Sequence, residues 1–128
     1  MADLPGFPAI EDVIIELVAD LGAGGTAVGT DLQTTLPFIR VHRLGGTDDR
    51  ITDSARIVVD AFESTRPRSQ QLAEAVRQRL LNFPHVVGGA VIDRVTTVAA
   101  PQEVPWGPPN AASGVRRFTA TYTVSSRR

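Results

Sequence analysis

The sequence predicts an α+β fold, a two-layer domain in which a mixed or antiparallel sheet of about four to five strands carries two helices on one face. Three observations lead there. Ile10, Ile14, Leu17, Val18 and Leu21 recur at helical spacing, and Leu72, Val76 and Leu80 recur every four residues, so each helix has a single apolar stripe. The segments Pro37–Gly46 and Ala55–Glu63 read as strand, turn, strand. Near the end, Phe118, Ala120, Tyr122 and Val124 alternate with Thr119, Thr121 and Thr123, the pattern of a strand with one wet face.

Taken in order, residues 1–9 hold Pro5, Gly6 and Pro8 and read as an irregular arm. The first helix spans 9–21, with Glu11 and Asp12 where the helix dipole favours negative charge and Gly22 as its stop. The glycines from Gly22 to Gly29 lack the lysine ending and preceding strand of a phosphate loop, so they predict a flexible connector with at most a short strand at 26–30. A polar loop at 31–35 precedes a strand opened by Pro37, in which Ile39 and Val41 face one way and Phe38, Arg40 and His42 the other. Gly45–Asp49 is turn chemistry.

The strand at 55–63 is apolar on both faces, which predicts a central position. Asp60 within it then needs a partner across the sheet, an arginine such as Arg40 or Arg94, a reading preferred to an acid–base role. Thr65 caps a second helix at 66–83, which ends before Pro84. Strands follow at 90–98 and 115–125, and Arg127–Arg128 reads as a frayed end. If the strands at 55–63 and 90–98 are parallel in one sheet, the intervening helix makes a right-handed crossover. Leu17, Val18, Ile57, Val59, Leu72, Val76 and Leu80 should be buried together. The loop at 100–114 is long for a compact domain and holds Val104 and Trp106, the only tryptophan. Trp106 either folds back onto its own core or anchors a protein interface, where tryptophan is enriched.

The 128 residues suit one domain, 1–128, with a core of its own. The net charge of -1 shows no basic excess of the kind nucleic-acid binders carry. The absence of cysteine excludes disulfides, thiolate metal sites and cysteine nucleophiles. The early apolar run Val13–Ile15 is too short to span a bilayer, so no membrane partner is expected. His42 and His85 form no recognisable ligand set, and His42 on a polar strand face suits a surface or interface role. No serine lies in a nucleophile elbow. The sequence thus predicts neither enzyme activity, nor a metal, nor a cofactor.

Four segments together resemble the tail terminator, or tail completion, family of long-tailed phages. They are the helix Ile10–Leu21 with its glycines, the stretch Leu36–Gly46, the strand Ile57–Phe62 leading into Ala73–Arg77, and Trp106–Asn110 followed by Arg117–Val124. The resemblance implies an α+β structural protein that forms a ring, commonly of six copies, at the head-proximal end of the tail tube. Such a ring stops tube growth and offers a surface to the head–tail connector, while genomic DNA passes through without sequence-specific binding. The implied location is the virion tail, after assembly in the host cytoplasm. Val104, Trp106, Arg40 and His42 are the residues expected to meet a neighbouring subunit or the tube. Alternatives are a head–tail connector or stopper subunit, or, in another class, a small cytoplasmic ligand-binding domain.

Overall fold

The computed structural model describes residues 9–29, 32–48, 52–106 and 114–127; the N-terminal arm and the middle of the long loop lie outside them. The elements are helix α1 (Ile10–Leu17), strand β1 (Ala23–Gly25), a short 3-10 turn (Leu32–Thr34), β2 (Phe38–Asp48), β3 (Thr52–Glu63), α2 (Arg66–Leu81), β4 (His85–Val87), β5 (Ala90–Glu103) and β6 (Arg116–Arg127). The sheet has six strands in the order β1-β2-β3-β6-β5-β4, two short strands more than the sequence pattern reveals. β1 is parallel to β2 and the remaining pairs are antiparallel.

β3 and β5 both run antiparallel to β6, which lies between them. They are therefore parallel to one another, and α2 is a crossover with a later strand inserted into its gap. α1 touches β1 and β2 at one margin of the sheet and β4 at the other, so the sheet curls around it. Both helices occupy this inner side. Ile39, Val41, Ile57, Val59, Ala120, Tyr122 and Val124 point at them from the sheet, and Ile10, Ile14, Val18, Leu72, Val76 and Leu80 point back. Leu17, expected in this core, is only half-buried at its margin.

The short elements have local causes. α1 stops at Leu17 and not at Leu21, because the chain leaves helical geometry at Val18 (φ -108°, ψ 13°). Val18 still reaches the core from the turn that follows. The glycines after α1 form β1, not a loose connector, and residues 26–30 hold no strand among those described. A Cβ on Gly24 would stand 2.5 Å from the Ile15 side chain, and one on Gly22 3.0 Å from the Pro37 carbonyl. The missing side chains let this edge strand slide under the helix.

Within the expected turn at Gly45–Asp49, residues 45–48 are instead the far end of β2, which has a bulge between Arg43 and Gly46, and Asp49 lies outside the described residues. Gly46 has φ +134°, and a Cβ there would run into the Ser54 carbonyl. Only glycine fits that bulge. Val87 and Ala90 flank Gly88–Gly89, both at positive φ, in a tight hairpin that creates β4. β5 runs on to Glu103 and claims the start of the predicted loop. Arg127 is not frayed, since it pairs in β6 and its Nε lies 2.9 Å from Asp93.

Polar contacts hold the helices to one another and to the sheet. Thr65 caps α2 by accepting from the Arg68 amide at 3.3 Å, as expected. The buried Ser69 hydroxyl reaches the carbonyls of Ala61 and Arg116, at 2.8 and 3.2 Å, and staples α2 to β3 and β6. Arg79 of α2 donates to the Leu17 carbonyl and, through both terminal nitrogens, to Asp20 at 2.8 and 2.9 Å. That hydrogen-bonded guanidinium holds the Asp20 carboxyl below its ordinary value.

Tyr122 is the exception in this core. It is fully buried, and its hydroxyl has no hydrogen-bond partner among the described residues. Burial pushes the phenol from 10.0 up to about 12. The unfolded chain therefore releases this proton first, and the fold loses stability as pH rises from 10 towards about 12. Tyr122→Phe should remove that alkaline loss. It should also raise stability at neutral pH by ~1 kcal/mol, the lower end of the cost of a buried unpaired polar group. Thermal melts of both proteins at neutral and alkaline pH check this; a lower melting temperature for the variant at neutral pH would contradict it.

Candidate functional site

Both helices lie inside the curl, so among the described residues no α-helix covers the outer face of the sheet; one end of that face lies under the cluster around Leu32, Phe62 and Val115. Cross-strand pairing defines what this face displays. One row is Phe38–Phe62–Arg117 and the next is Arg40–Asp60–Thr119. Beyond them come His42–Val58–Thr121 and then Arg56–Thr123–Thr96. The threonines of β6 supply the hydroxyl column that the alternating pattern predicted.

Asp60 is the pivot of the site. It is 1% exposed. Of its two candidate partners it takes Arg40, whose Nε donates to Oδ2 at 2.8 Å and whose Nη2 donates to the same oxygen. Thr119 Oγ1 donates to the other carboxylate oxygen at 2.6 Å. A buried charge is thus matched by one cation and one hydroxyl, which is what burial demands. The carboxylate in turn fixes the guanidinium.

The fixed guanidinium meets the aromatic groups of the next row. Arg40 Cζ lies 5.9 Å from the centre of the Phe62 ring and 5.8 Å from that of Trp106. Arg117 approaches Trp106 to 5.2 Å. Trp106 meets Phe62 edge-on, with centroids 5.0 Å apart and planes at 76°, a favourable aromatic geometry. Trp106 therefore folds back onto its own domain and sits between two arginines. It joins a second, smaller apolar cluster of Leu32, Phe62 and Val115, with Val28, Leu36 and Phe38 at its edge.

The chain around Trp106 is tied down as well. The Val104 amide donates to the Arg117 carbonyl at 3.0 Å, and Arg117 Nη2 donates to the Pro105 carbonyl at 3.0 Å. Val104 and Trp106 each remain half-buried, so both keep accessible surface. Of the four expected interface residues, Arg40, Val104 and Trp106 converge on this patch. His42 lies one row further along the same face, half-buried, beside the cluster. The sequence reading passed over Arg117 and Phe62 as site residues. Phe62 was legible as an apolar residue on the wrong face of its strand, whereas Arg117 depends on a register that no local pattern encodes.

Chemically the patch can hold a surface in place, with rigid aromatic and guanidinium groups. The two histidines are not brought together. His85 is on β4, where its Nε2 lies 3.2 Å from the Leu80 carbonyl, far along the fold from His42 on β2. Among the described residues no three histidine or acidic groups could hold a metal ion. No described helix is long and apolar enough to cross a membrane.

Comparison with known proteins agrees with this picture. The family model for "Phage tail termination protein" matches residues 6–108, most of the chain. A search of curated proteins returns no match. Among solved structures, a chain described as "Virion of native gene transfer agent (GTA) particle" shares the fold at a TM-score of 0.53 with 11% identity. The match covers 91% of this chain and 85% of that one.

Proposed function

We infer the function from a family that is now established: the chain belongs to the phage tail termination proteins, which are structural proteins of the phage tail and not enzymes. We propose that copies of it close into a ring, of six subunits, at the head-proximal end of the tail tube. The ring ends tube growth and presents the joining surface to the head–tail connector. Genomic DNA passes through it without sequence-specific contacts, and the ring assembles in the host cytoplasm before it becomes part of the virion.

The observation that supports this reading is the preorganised patch on the outer face of the sheet, which no described α-helix covers. A small structural protein that must bind copies of itself, a tube and a connector needs surfaces held rigid before contact, because ordering side chains on binding costs affinity. Trp106 is held between Arg40 and Arg117, and Arg40 is held by Asp60, so little remains to be ordered. Val104, Trp106, Arg40 and His42 are the residues we place against a neighbouring subunit or the tube.

Electron microscopy of tails assembled with Trp106 variants tests this. Truncating a desolvated tryptophan anchor costs ~2 kcal/mol or more in binding. Trp106→Ala should therefore give tails of uncontrolled length, while the purified variant stays folded with a lowered melting temperature from the lost contact with Phe62. Trp106→Phe keeps an aromatic group on Phe62 and should fall between the two. Tails of normal length with Trp106→Ala would remove this residue from the interface.

A further inference from the structure

The chain has no lysine, so all 13 of its basic side chains are arginine. They are unevenly placed. The outer sheet face carries Arg40, Arg56, Arg94 and Arg117, whereas its buried carboxylate, Asp60, is already committed to Arg40. Arg56 and Arg94 are exposed and take part in no ion pair among the described residues. They stand on neighbouring rows two strands apart, roughly 10 Å by strand spacing. Helix α1 is the opposite case. It contains Glu11, Asp12 and Glu16 and no basic residue. Glu11 is turned back onto the sheet, accepting from the Arg43 amide at 3.4 Å. Asp12 and Glu16, four positions apart and so on one side of the helix, are exposed and in no ion pair among the described residues.

We propose that neighbouring copies meet with the arginines Arg56 and Arg94 of one against the acidic side of α1, Asp12 and Glu16, of the next. This rests on the ring reading and names its contact. Three features support it. The two patches have opposite charge in a chain whose net charge is only -1, so the asymmetry is local. They lie on opposite sides of the domain, since α1 sits within the curl and the arginines on its outside; a contact between unlike patches is the head-to-tail type that a ring requires, and it closes when the rotation between copies does. Beside Arg56 the surface offers a hollow of about 350 Å³ lined by Leu44, Thr47, Ser54 and Thr123, with Leu44 58% exposed. It provides an apolar side chain and hydroxyls as well as a cation. Arginine suits such a contact because its planar, weakly hydrated guanidinium pairs with carboxylates in a fixed geometry.

A charge-swap experiment tests the contact. One variant carries Arg56→Glu and Arg94→Glu, and the other Asp12→Arg and Glu16→Arg. All four side chains are exposed and unpaired, so both variants should fold, as circular dichroism will show. Each alone should form rings on purified tail tubes about tenfold less well than wild type, or worse, because like charges then face one another. Mixed together they should form alternating rings, since every contact again joins opposite charges. Native mass spectrometry reads the alternation directly. Failure of the mixture to recover would overturn the proposal, as would a variant that assembles normally. Loss of assembly with the arginine reversal alone would assign that face to the tube or to DNA and overturn it too. Neutralising Arg56→Ala with Arg94→Ala should act in the same direction, less strongly. If wild-type protein forms rings but the swaps behave otherwise, only the contact is wrong; if wild type forms no ring on tubes, the ring reading itself fails.

Discussion

Val76→Asp is expected to abolish soluble folding. Val76 is fully buried in the middle of α2 and faces the inner side of the sheet among Leu72, Leu80, Ile57 and Tyr122. The side chains packed around it there are apolar, and an unpaired buried charge costs several kcal/mol. Domains of this size are stable by only about 5–15 kcal/mol, so one such substitution removes most or all of the margin. Gln71→Asp is the control, on the exposed side of the same helix. It should change stability by no more than about 0.5 kcal/mol. Soluble yield and far-ultraviolet circular dichroism of the two variants distinguish them. A well-folded Val76→Asp protein would mean that α2 turns a different side to the sheet.

The second large effect is expected at Arg40. Arg40→Ala leaves the Asp60 carboxylate buried with Thr119 as its one remaining partner. Removing one member of a buried ion pair commonly costs 3–5 kcal/mol, roughly, because the other charge is left without compensation. Arg40 itself is 22% exposed along its side chain, so water reaches one side and the lower end, about 3 kcal/mol, is the expected value. The substitution also removes a cation from over both Phe62 and Trp106. Changing both residues, Arg40→Ala with Asp60→Asn, should recover much of the loss, since the uncompensated charge is then gone. Denaturant midpoints of the two single variants and the double variant form the cycle that isolates the pair. A cost below about 1 kcal/mol for Arg40→Ala would show that Asp60 is hydrated and that the guanidinium is not fixed by it.

These two sites differ in how far the sequence foretold them. Val76 belongs to a four-residue repeat of apolar side chains, a signal written locally along one helix. Arg40 and Asp60 are 20 positions apart, and the sequence asked for an arginine, such as Arg40 or Arg94, because a charge in a central strand demands a partner. Only strand register chose between them: Arg40 stands opposite Asp60 on β2, whereas Arg94 pairs with Ser125 two strands away.

By itself the sequence determined the two helices, the four long strands, the cap at Thr65, the wet face of the last strand, and membership in the phage tail termination family. All of these follow from periodicity, turn chemistry or motif order, which are properties of short windows. Tertiary structure decided the rest. β1 exists because glycines under Ile15 permit close packing against an existing strand, and β4 because Gly88–Gly89 folds three residues back onto β5. A strand of three residues has too few side chains to show a period, and its stability comes from the partner it pairs with. Tertiary structure also settled where Trp106 packs. Its environment consists of Phe62, Arg40 and Arg117, which arrive from three strands, and their meeting point is set by sheet order and register, not by any neighbour in the chain.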